Sequence, residues 1–564
     1  MSGIPFKPVT YFSAASSASL VGYRPDLLLF SRPSYIGTFL QLWIVSFSLW
    51  AFYKIVLYPR YFSPIRHFPT PPNGSWWNGH YDQIKALPSG GPHVDWIESV
   101  PNEGIIRYMG IFNSERLFIT TPKGLGEVLV TRNYDFIKPS HLATGLGRLL
   151  GIGVLLAEGE EHKRQRKNLM PAFAYRHVKN LVPVFWDKSR EAVLAMTEHI
   201  NAGGIPHSEL PAQHQKSDAD KGDAVLEVGD WASRATLDII GLAGMGKDFN
   251  AIKDPNTELN RTYRTVFKPS GQAAVLGLLN IFLPLWFVRN IPMKRNGEIE
   301  GAAAVMRAFC RDLIRSKKEK LVEGSLTDVD ILRVAIESGG FSEENLIDQL
   351  MTFLAAGHET TATAMTWAIY MLCLNPDIQT RLRAEIREKL PSVNGSEEVT
   401  TQDFDHMPYL SAVCNEVLRY YPPVPLTLRD AAVDTVILGQ PIPKGTRVML
   451  VPWAVNKHST HWGADGANFN PDRWLPSEKN PHSANGGAQS NYSYLTFLHG
   501  PRSCIGQGFA KAEFMCLLAA WVGRFEFELN DENEKIEKNV VIKGGVTAKP
   551  ANGMYVKTKV VGGW

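Results

Sequence analysis

The amino-acid sequence predicts a fold that is mainly α with a minor β region and an N-terminal transmembrane helix. Apolar residues recur at helical spacing through long stretches, including 261–320 and 343–389. Alternation typical of paired strands is clearest from Ile105 to Thr120, where residues 112–114 supply a turn. Near the N-terminus, Ser34 to Tyr53 contains no charged residue, and that length is enough for a helix to cross a bilayer.

The composition is that of a large globular protein. Its 564 residues are 44% hydrophobic and 20% charged, which allows an extensive core in one large catalytic unit or several smaller ones. The 59 basic and 56 acidic residues leave a net charge of +3, which argues against nucleic acid as a main partner. The five cysteines are scattered without a Cys-x-x-Cys pair, so the sequence indicates neither a disulfide framework nor a zinc site and fits a reducing compartment.

Three segments precede the catalytic body. We predict a poorly ordered N-terminal tail over 1–33, a transmembrane anchor over 34–54, a stiff, extended proline-rich hinge over 55–75 and a catalytic domain over 76–564. A buried core helix and a cleaved signal are the alternatives for the anchor. It starts late for a signal peptide, and no small-residue cleavage site follows it.

Flanking charge does not orient this anchor. Three basic residues precede it (Lys7, Arg24, Arg32) and three follow it (Lys54, Arg60, Arg66). The comparison on which the positive-inside rule depends is therefore a tie.

Two further stretches interrupt the helical pattern. Ala202 to Asp223 is rich in Gly, Ser, Gln, Asp and Pro, which predicts a surface loop between helices. Ala274 to Pro292 is apolar, but Gly277 and Pro284 break it. It is too broken for a second membrane span to be assigned, and a core helix is the alternative.

The most informative stretch runs from Phe497 to Gly506 and contains one cysteine between two glycines. Cys504 ends a tight loop before a helix-favouring run, so we expect the helix dipole to favour its thiolate and loop amides to donate to its sulfur. Gly500 and Gly506 would permit special backbone angles and close approach of a flat ligand, and Arg502 would pair with an acidic group on that ligand. A small buried hydrophobe is the alternative for a lone cysteine.

The full spacing, Phe-x-x-Gly-x-Arg-x-Cys-x-Gly, resembles position for position the haem-binding loop of the cytochrome P450 family of haem-thiolate monooxygenases. The resemblance implies that Cys504 is the iron ligand of a heme b (iron protoporphyrin IX) cofactor. It also implies that Phe497, Arg502 and Gly506 contact that cofactor.

A second motif, Ala-Ala-Gly-His-Glu-Thr-Thr, covers residues 355–361 of a helical stretch. A glycine inside a helix costs about 1 kcal/mol relative to alanine, and a threonine can bond back to a carbonyl and bend the helix. Such a defect is tolerable where a ligand passes close to the backbone. The motif resembles the oxygen-binding kink of the same family, in which Thr360 would hydrogen-bond dioxygen and Glu359 would relay protons. A bent core helix is the alternative.

Three basic residues correspond to the family's contacts with the haem propionates. His162 and Arg166 occupy the places of a Trp-x-x-x-Arg pair, with a histidine where the family usually has tryptophan. Arg429 lies where the family often has another propionate-binding arginine. For His162, a solvated helix face is the alternative.

Glu416 and Arg419 stand three residues apart on one helix face, just before Pro422 and Pro423. They resemble the family's Glu-x-x-Arg pair, whose third member here is Arg473. We expect this trio to support the haem-side core and to take no part in catalysis. A solvated surface pair is the ordinary meaning of such a spacing.

These matches cover the chain from about residue 34 to its end in the family's order. They imply a triangular helical prism around a buried haem and a monooxygenase that inserts one oxygen atom from O2 into a hydrophobic small molecule. Electrons would come from a separate NADPH-cytochrome P450 reductase, with cytochrome b5 as a further candidate partner and Lys511 as a candidate docking residue. The hinge looks like that of fungal microsomal members, which implies a single-pass protein of the endoplasmic reticulum, a cytosolic catalytic domain and secondary-metabolite biosynthesis.

Two alternatives to a monooxygenase stay open from the sequence. A haem-thiolate isomerase or dehydratase would act on a peroxide without a reductase, and the retention of Glu359 and Thr360 argues against it. A non-catalytic haem-binding membrane protein would show no turnover. The segments that line the family's substrate pocket, here 142–150, 424–428 and 546–548, are mostly aliphatic, which favours a hydrophobic substrate.

Overall fold

The computed structural model describes residues 6–23, 34–86, 88–216, 224–267, 271–283, 285–325, 329–477, 485–543 and 545–564. Helices dominate these residues, as the sequence predicts. In chain order they are α1 (Phe6–Tyr23), α2 (Tyr35–Phe52), α3 (Tyr81–Ala86), α4 (Gly91–Ser99), α5 (Pro122–Gly126), α6 (Ser140–Leu150), α7 (Gly159–Leu169), α8 (Tyr175–Val178), α9 (Val182–Asn201), α10 (Val228–Ile239), α11 (Glu258–Phe267), α12 (Gly271–Phe282), α13 (Leu285–Arg289), α14 (Lys294–Val322), α15 (Ile331–Glu337), α16 (Glu343–Leu374), α17 (Pro376–Lys389), α18 (Thr401–Asp405), α19 (Pro408–Tyr420), α20 (Pro452–Val455), α21 (Ser459–Trp462) and α22 (Gln507–Arg524).

The minor β region consists of short strands. They are β1 (Ile105–Met109), β2 (Glu115–Ile119), β3 (Phe136–Ile137), β4 (Ala224–Glu227), β5 (Thr427–Ala431), β6 (Thr435–Ile437), β7 (Gln440–Ile442), β8 (Arg447–Leu450), β9 (Phe525–Leu529), β10 (Ile542–Lys543), β11 (Lys549–Pro550) and β12 (Tyr555–Val560). The main sheet has the order β1-β2-β8-β5-β3, and a second has the order β4-β12-β9. The predicted β1–β2 hairpin is confirmed, with Ile105 opposite Ile119.

The central element is α16, a helix of 32 residues that is buried along most of its length. It begins at Ser342, whose hydroxyl accepts a hydrogen bond from the Asn345 backbone N–H, and Glu343 and Glu344 complement the dipole in its first turn. Helices α10, α14 and α22 pack against it. A helix that is apolar on most faces is buried in this way. Helix α16 therefore links α10 and α14 to α22, the helix that follows Cys504.

The main sheet positions residues that are far apart in the sequence. Strand β3 pairs with β5 so that Ile137 lies opposite Asp430. The antiparallel register therefore places Lys138 near Arg429 at the end of this pair. Strand β5 is held in turn by β8, where Leu428 lies opposite Met449.

Over their described residues, the stretches 274–292 and 202–223 are interrupted in the structure, as their sequences predict. Ala274 to Pro292 is divided between α12 and α13, and Pro284 lies outside the described residues. The insertion from Ala202 runs between α9 and β4 and contains only single helical turns over its described part, while 217–223 lie outside that part.

The prediction of an extended hinge is wrong for its first part. A π-helix, Tyr53–Phe62, continues α2 and includes Pro59. It is docked on the β1–β2 hairpin: Asn113 Nδ2 donates to the Ile55 carbonyl at 2.7 Å, and the Arg107 guanidinium donates to the Pro59 carbonyl. Tertiary contacts thus order a segment whose proline content alone indicates extended chain.

The prediction of a poorly ordered tail is also wrong where the structure describes the tail. Residues 6–23 form α1, and its side chains Val9, Ser13 and Ser17 are buried. The helix packs against α2. Packing against a neighbour supplies most helical stability in proteins, and the mixed composition of this segment did not indicate such a neighbour.

Candidate active site

The loop before Cys504 is closed by backbone hydrogen bonds. The Cys504 N–H donates to the Phe497 carbonyl at 2.8 Å, and the Ser503 N–H donates to the Gly500 carbonyl at 3.0 Å. Gly500 has φ +74°, and a Cβ there would lie 2.2 Å from the Leu129 carbonyl oxygen, so only glycine fits. Gly506 has φ −89°, which any residue adopts, and its predicted role in ligand approach stays a prediction.

The Cys504 thiol is exposed at the surface of this loop. Desolvation by the surrounding protein nevertheless raises its pKa, and the Gly506 N–H and the Arg166 guanidinium act in the opposite direction. The predicted donor to sulfur is therefore present, but the expected lowering of the thiol pKa is wrong for the protein alone. A metal ion would deprotonate a coordinating thiol outright.

A cluster of charged side chains lies beside this loop. Arg502 is buried and forms an ion pair with Glu158, which precedes α7. Apart from this contact of Nη1, the guanidinium nitrogens Nε and Nη2 have no hydrogen-bond acceptor among the described residues. Buried donors without acceptors are rare in folded proteins, so Arg502 has the capacity to bind a further anionic group.

Two more cations complete this cluster. The Arg429 guanidinium is buried, and desolvation together with the Arg502 charge lowers its pKa to about 10. Desolvation and the Arg429 charge lower the pKa of Lys138 to about 7, and the Glu158 carboxylate opposes that change. The side chains of Lys138, Glu158, Arg429 and Arg502 therefore share one electrostatic environment, which we call the cationic cluster.

His162 and Arg166 lie on α7 near this cluster. His162 is buried, and desolvation, with the charges of Arg502 and Lys138, lowers its pKa to about 4. The imidazole is therefore neutral near pH 7, and its Nδ1 finds no partner in the described part of the chain. Arg166 donates to the Ser503 carbonyl at 2.7 Å and to Ser503 Oγ at 3.1 Å, so it holds the residue next to Cys504.

The charge of this cluster suits an acidic ligand, such as the two propionates of iron protoporphyrin. Cations outnumber the single carboxylate of the cationic cluster, and Arg502 has buried donors without acceptors. Lys138 and Glu158 are not among the site residues predicted from the sequence. The signal for Lys138 was a lone basic residue between the apolar pair Phe136–Ile137 and Pro139.

On α16, the carboxylate of Glu359 is held by two residues from the C-terminal part of the chain. Lys549 Nζ donates to Glu359 Oε1 at 2.7 Å, and Thr547 Oγ1 donates to the same oxygen at 3.1 Å. Burial raises the pKa of Glu359, but the Lys549 and His358 charges and these hydrogen bonds outweigh it and hold the pKa below its usual value. Thr547 lies within the segment 546–548 that corresponds to a pocket-lining segment of the family, but no local motif in the sequence marked Lys549 or the contact of either residue with Glu359.

Thr360 forms the hydrogen bond expected of a threonine within a helix, whereas Gly357 packs against a protein side chain. The Thr360 hydroxyl donates to the Ala356 carbonyl at 2.8 Å, as the sequence analysis anticipated for a threonine within a helix. A Cβ on Gly357 would lie 2.8 Å from Cδ1 of Ile240. The close approach that requires glycine here is therefore made by a protein side chain, and the structure assigns α16 as one helix through this point.

The trio of Glu416, Arg419 and Arg473 is assembled as predicted. Glu416 and Arg419 are fully buried and paired at 2.7 Å, and Arg473 Nε lies 3.1 Å from Glu416 Oε1. These contacts join α19 to the turn at 471–474. The surface-pair alternative is therefore excluded for Glu416 and Arg419.

The expectation that Lys511 docks a partner is not supported by its environment. Its Nζ donates to Asn415 Oδ1 at 2.8 Å, and desolvation lowers its pKa. Lys167, one residue from Arg166 on α7, is exposed instead.

The chain is similar along nearly its whole length to fungal cytochrome P450 monooxygenases. The family model described as Cytochrome P450 matches residues 69–555. The chain is 44% identical to the cytochrome P450 monooxygenase sphH of Aspergillus fumigatus, over 97% of both chains. It is 42% identical to the cytochrome P450 monooxygenase ALT8 of Alternaria alternata, over 98% of this chain and 99% of the relative. It is also 42% identical to the cytochrome P450 monooxygenase FUM15 of Gibberella moniliformis, over 92% of this chain and 91% of the relative.

Proposed function

The chain belongs to the cytochrome P450 family and is a P450 monooxygenase, and from this premise we propose that Cys504 is the iron ligand of its haem. The observation that carries the proposal is the exposed thiol of Cys504 beside the cationic cluster, in which Arg502 Nε and Nη2 are buried without an acceptor in the described part of the chain. A thiolate ligand and propionate-binding cations are what a haem-thiolate site requires.

Each predicted cofactor contact has a role in this proposal. Arg502 and Arg429, assisted by Lys138, bind the haem propionates, and the neutral His162 donates one further hydrogen bond. Arg166 keeps the Cys504 loop in place through Ser503. The Gly506 N–H donates to the sulfur, and the Phe497 carbonyl accepts from the Cys504 N–H. When bound, the haem supplies the centre at which O2 is activated for insertion into a substrate bond.

Two residues of α16 have separate roles in this proposal: Thr360 donates a hydrogen bond to dioxygen, and Glu359 transfers protons. The Thr360 O–H must leave the Ala356 carbonyl before it can donate to dioxygen, because a hydroxyl has one proton. The Glu359 carboxylate is ionised and paired with Lys549, so it is poised to accept a proton and pass it on when this pair opens. Thr547 keeps the carboxylate oriented meanwhile.

The substrate we propose is a hydrophobic small molecule of secondary metabolism, in line with the aliphatic residues of 142–150 and 424–428. Electrons come from a separate NADPH reductase, for which the exposed Lys167 near the Cys504 loop is a candidate contact. The helix Tyr35–Phe62 is long and apolar enough to cross a membrane. We place it in the endoplasmic reticulum with the catalytic domain in the cytosol.

The first test is the absorption spectrum of the reduced protein with carbon monoxide. Wild type is expected to give the strongly red-shifted Soret band of thiolate-bound haem, and Cys504→Ala is expected to lose it. Cys516→Ala is the matched control, because Cys516 is fully buried in α22. A red-shifted band that survives in Cys504→Ala would remove Cys504 from the iron.

The second test separates the monooxygenase from the two alternatives. With reductase present, the monooxygenase consumes NADPH in response to a substrate and requires O2. An isomerase or dehydratase would convert a peroxide substrate with no reductase. A haem-binding protein without turnover would do neither.

A further inference from the structure

We propose that α1 and α2 enter the membrane together as a helical hairpin, which places the N-terminus and the catalytic domain on the same side. The proposal rests on α2 as the membrane anchor and adds a second embedded helix whose outer face contacts lipid. It replaces the single-pass topology expected from the sequence.

The two helices lie side by side in opposite directions. Phe6 stacks on Trp43 and on Phe47, with ring centroids 6.2 Å apart in both pairs. Trp43 Nε1 donates to Thr10 Oγ1 at 3.2 Å. Phe6, the earlier residue of α1, reaches Phe47, whereas Thr10 reaches the earlier residue Trp43 of α2. The helices therefore run antiparallel, as a hairpin requires.

Small side chains fill the rest of this contact. The buried residues of α1 are Val9, Ser13 and Ser17, spaced four apart on one face. The buried residue of α2 is Thr38, which is 4% exposed. Small residues at such spacing allow the close helix packing that is found between helices in membranes.

The depth of α1 follows from these contacts. The ring contacts and the hydrogen bond fall on Trp43 and Phe47, near the middle of α2. Any helix packed there lies at the same depth. Each helix has 18 residues, which at 1.5 Å per residue is about 27 Å, close to the hydrocarbon thickness of about 30 Å.

The outer face of α1 suits lipid better than water. Tyr11 is 70% exposed and Phe12 is 60% exposed, and Lys7 at the start is the one charged residue of the helix. A helix that packs one face on a protein and the other on water normally carries charges on the outer face. Lys7 is close enough to the helix end to reach the interface.

The hairpin also resolves the tie in flanking charge. With one span, three basic residues lie on each side. The hairpin moves Lys7 to the side of Lys54, Arg60 and Arg66, so that side has four and the linker side has two, Arg24 and Arg32. The positive-inside rule then places the catalytic domain in the cytosol.

Glycosylation mapping of the full chain in microsomes tests the topology. One variant has a long flexible leader with an Asn-Ser-Thr acceptor before Met1, and another has the same segment between Ser31 and Arg32. We expect the linker variant to gain an endoglycosidase-sensitive glycan and the leader variant to gain none. As a control, deletion of Phe6–Tyr23 from the leader variant leaves α2 alone, and its leader is expected to become glycosylated.

The wild-type chain reports the side of the catalytic domain by itself. It has Asn-x-Ser acceptors at the exposed residues Asn73, Asn394 and Asn491, which stay unmodified if the domain is cytosolic. Glycans on both the leader and the linker would overturn the hairpin while leaving the α2 anchor intact. Release of the protein by alkaline carbonate, with neither variant glycosylated, would overturn the anchor and the hairpin with it.

A second measurement avoids the added leader. In sealed microsomes, Ser2→Cys is expected to react with a membrane-impermeant maleimide before detergent is added, beyond the background of the wild-type chain. Labelling that requires detergent would place the N-terminus on the linker side and overturn the proposal.

Discussion

At the residue scale, the carboxylate of Glu359 is subject to two opposing effects. Burial raises its pKa, and the Lys549 ammonium is the largest of the influences that lower it. Because the net pKa is below its ordinary value, ionisation of Glu359 stabilises the fold above the ordinary carboxyl pKa, and that contribution is lost as the pH falls through the folded-state pKa. The protonation state of the proposed proton relay therefore depends on one distant lysine.

Replacement of Lys549 by Met is expected to shift the acid limb of the pH profile for coupled product formation to higher pH. Without the ammonium, burial dominates, and Glu359 stays protonated to a higher pH. The measurement is product formed per NADPH consumed as a function of pH. Lys538→Met is the matched control, since Lys538 is exposed. An acid limb that does not move would remove the Lys549–Glu359 pair from proton delivery.

At the scale of elements, buried charge joins α19 to the turn at 471–474. Glu416 accepts from the Asn470 backbone N–H at 2.7 Å and from Trp474 Nε1 at 2.9 Å. Arg419 donates to the carbonyls of Asn456 and Gly466 at 2.7 and 2.6 Å. The Glu416 and Arg419 side chains are fully buried, and charge is tolerated in the interior only when it is paired and hydrogen-bonded.

Arg419→Met is expected to destabilise the protein by about 3–5 kcal/mol, because it leaves the buried Glu416 carboxylate without its main partner. Arg381→Met is the control, because Arg381 lies on α17 and its partner Asp472 is on the same turn. Arg381 pairs with Asp472 at 2.7 Å, but about half of its side chain is exposed, at 51%, so the expected loss is within about 1 kcal/mol. Denaturant unfolding followed by the Soret band and by fluorescence measures both. Equal losses of unfolding free energy in the two variants would show that the buried ion pair contributes no more to stability than the exposed one.

At the scale of the whole molecule, the membrane segment and the catalytic body are joined by ordered structure. The π-helix Tyr53–Phe62 supplies carbonyl acceptors to Arg107 and Asn113, which are both 5% exposed. Ser63 Oγ then donates to Glu115 Oε1 at 2.6 Å. The body therefore begins, in structural terms, at the π-helix and not at the end of the proline-rich segment.

Two truncations test where the catalytic body begins. A chain that starts at Tyr53 keeps the π-helix and is expected to match the thermal stability of the full-length protein. A chain that starts at Ser63 removes the Pro59 carbonyl from Arg107 and the Ile55 carbonyl from Asn113, although both side chains keep their other acceptors, Glu115 and the Trp76 carbonyl. An N–H left buried without an acceptor costs about 1–3 kcal/mol. Thermal unfolding of both haem-loaded proteins is the measurement. Identical melting temperatures would mean that water replaces these carbonyls at no cost.

Sequence alone determined the features that depend on neighbours along the chain. Four such features could be recognised in the sequence, because periodicity and motif spacing are local. They are the helical stretch around Gly357–Thr360, the β1–β2 hairpin, the trio Glu416–Arg419–Arg473 and the spacing around Cys504. They were sufficient for the fold class and the family. The proposed roles of individual site residues depend on the same spacing.

Only the tertiary structure decided which groups meet across the chain. Lys549 reaches Glu359 over 190 residues of separation, Arg502 meets Glu158, and α1 packs on α2. Desolvation by surrounding atoms likewise raises the pKa of the Cys504 thiol, the opposite of the direction expected from the sequence, because it outweighs the nearby amide and guanidinium. Such contacts and the desolvation they cause arise from packing, which no local pattern of residue types records.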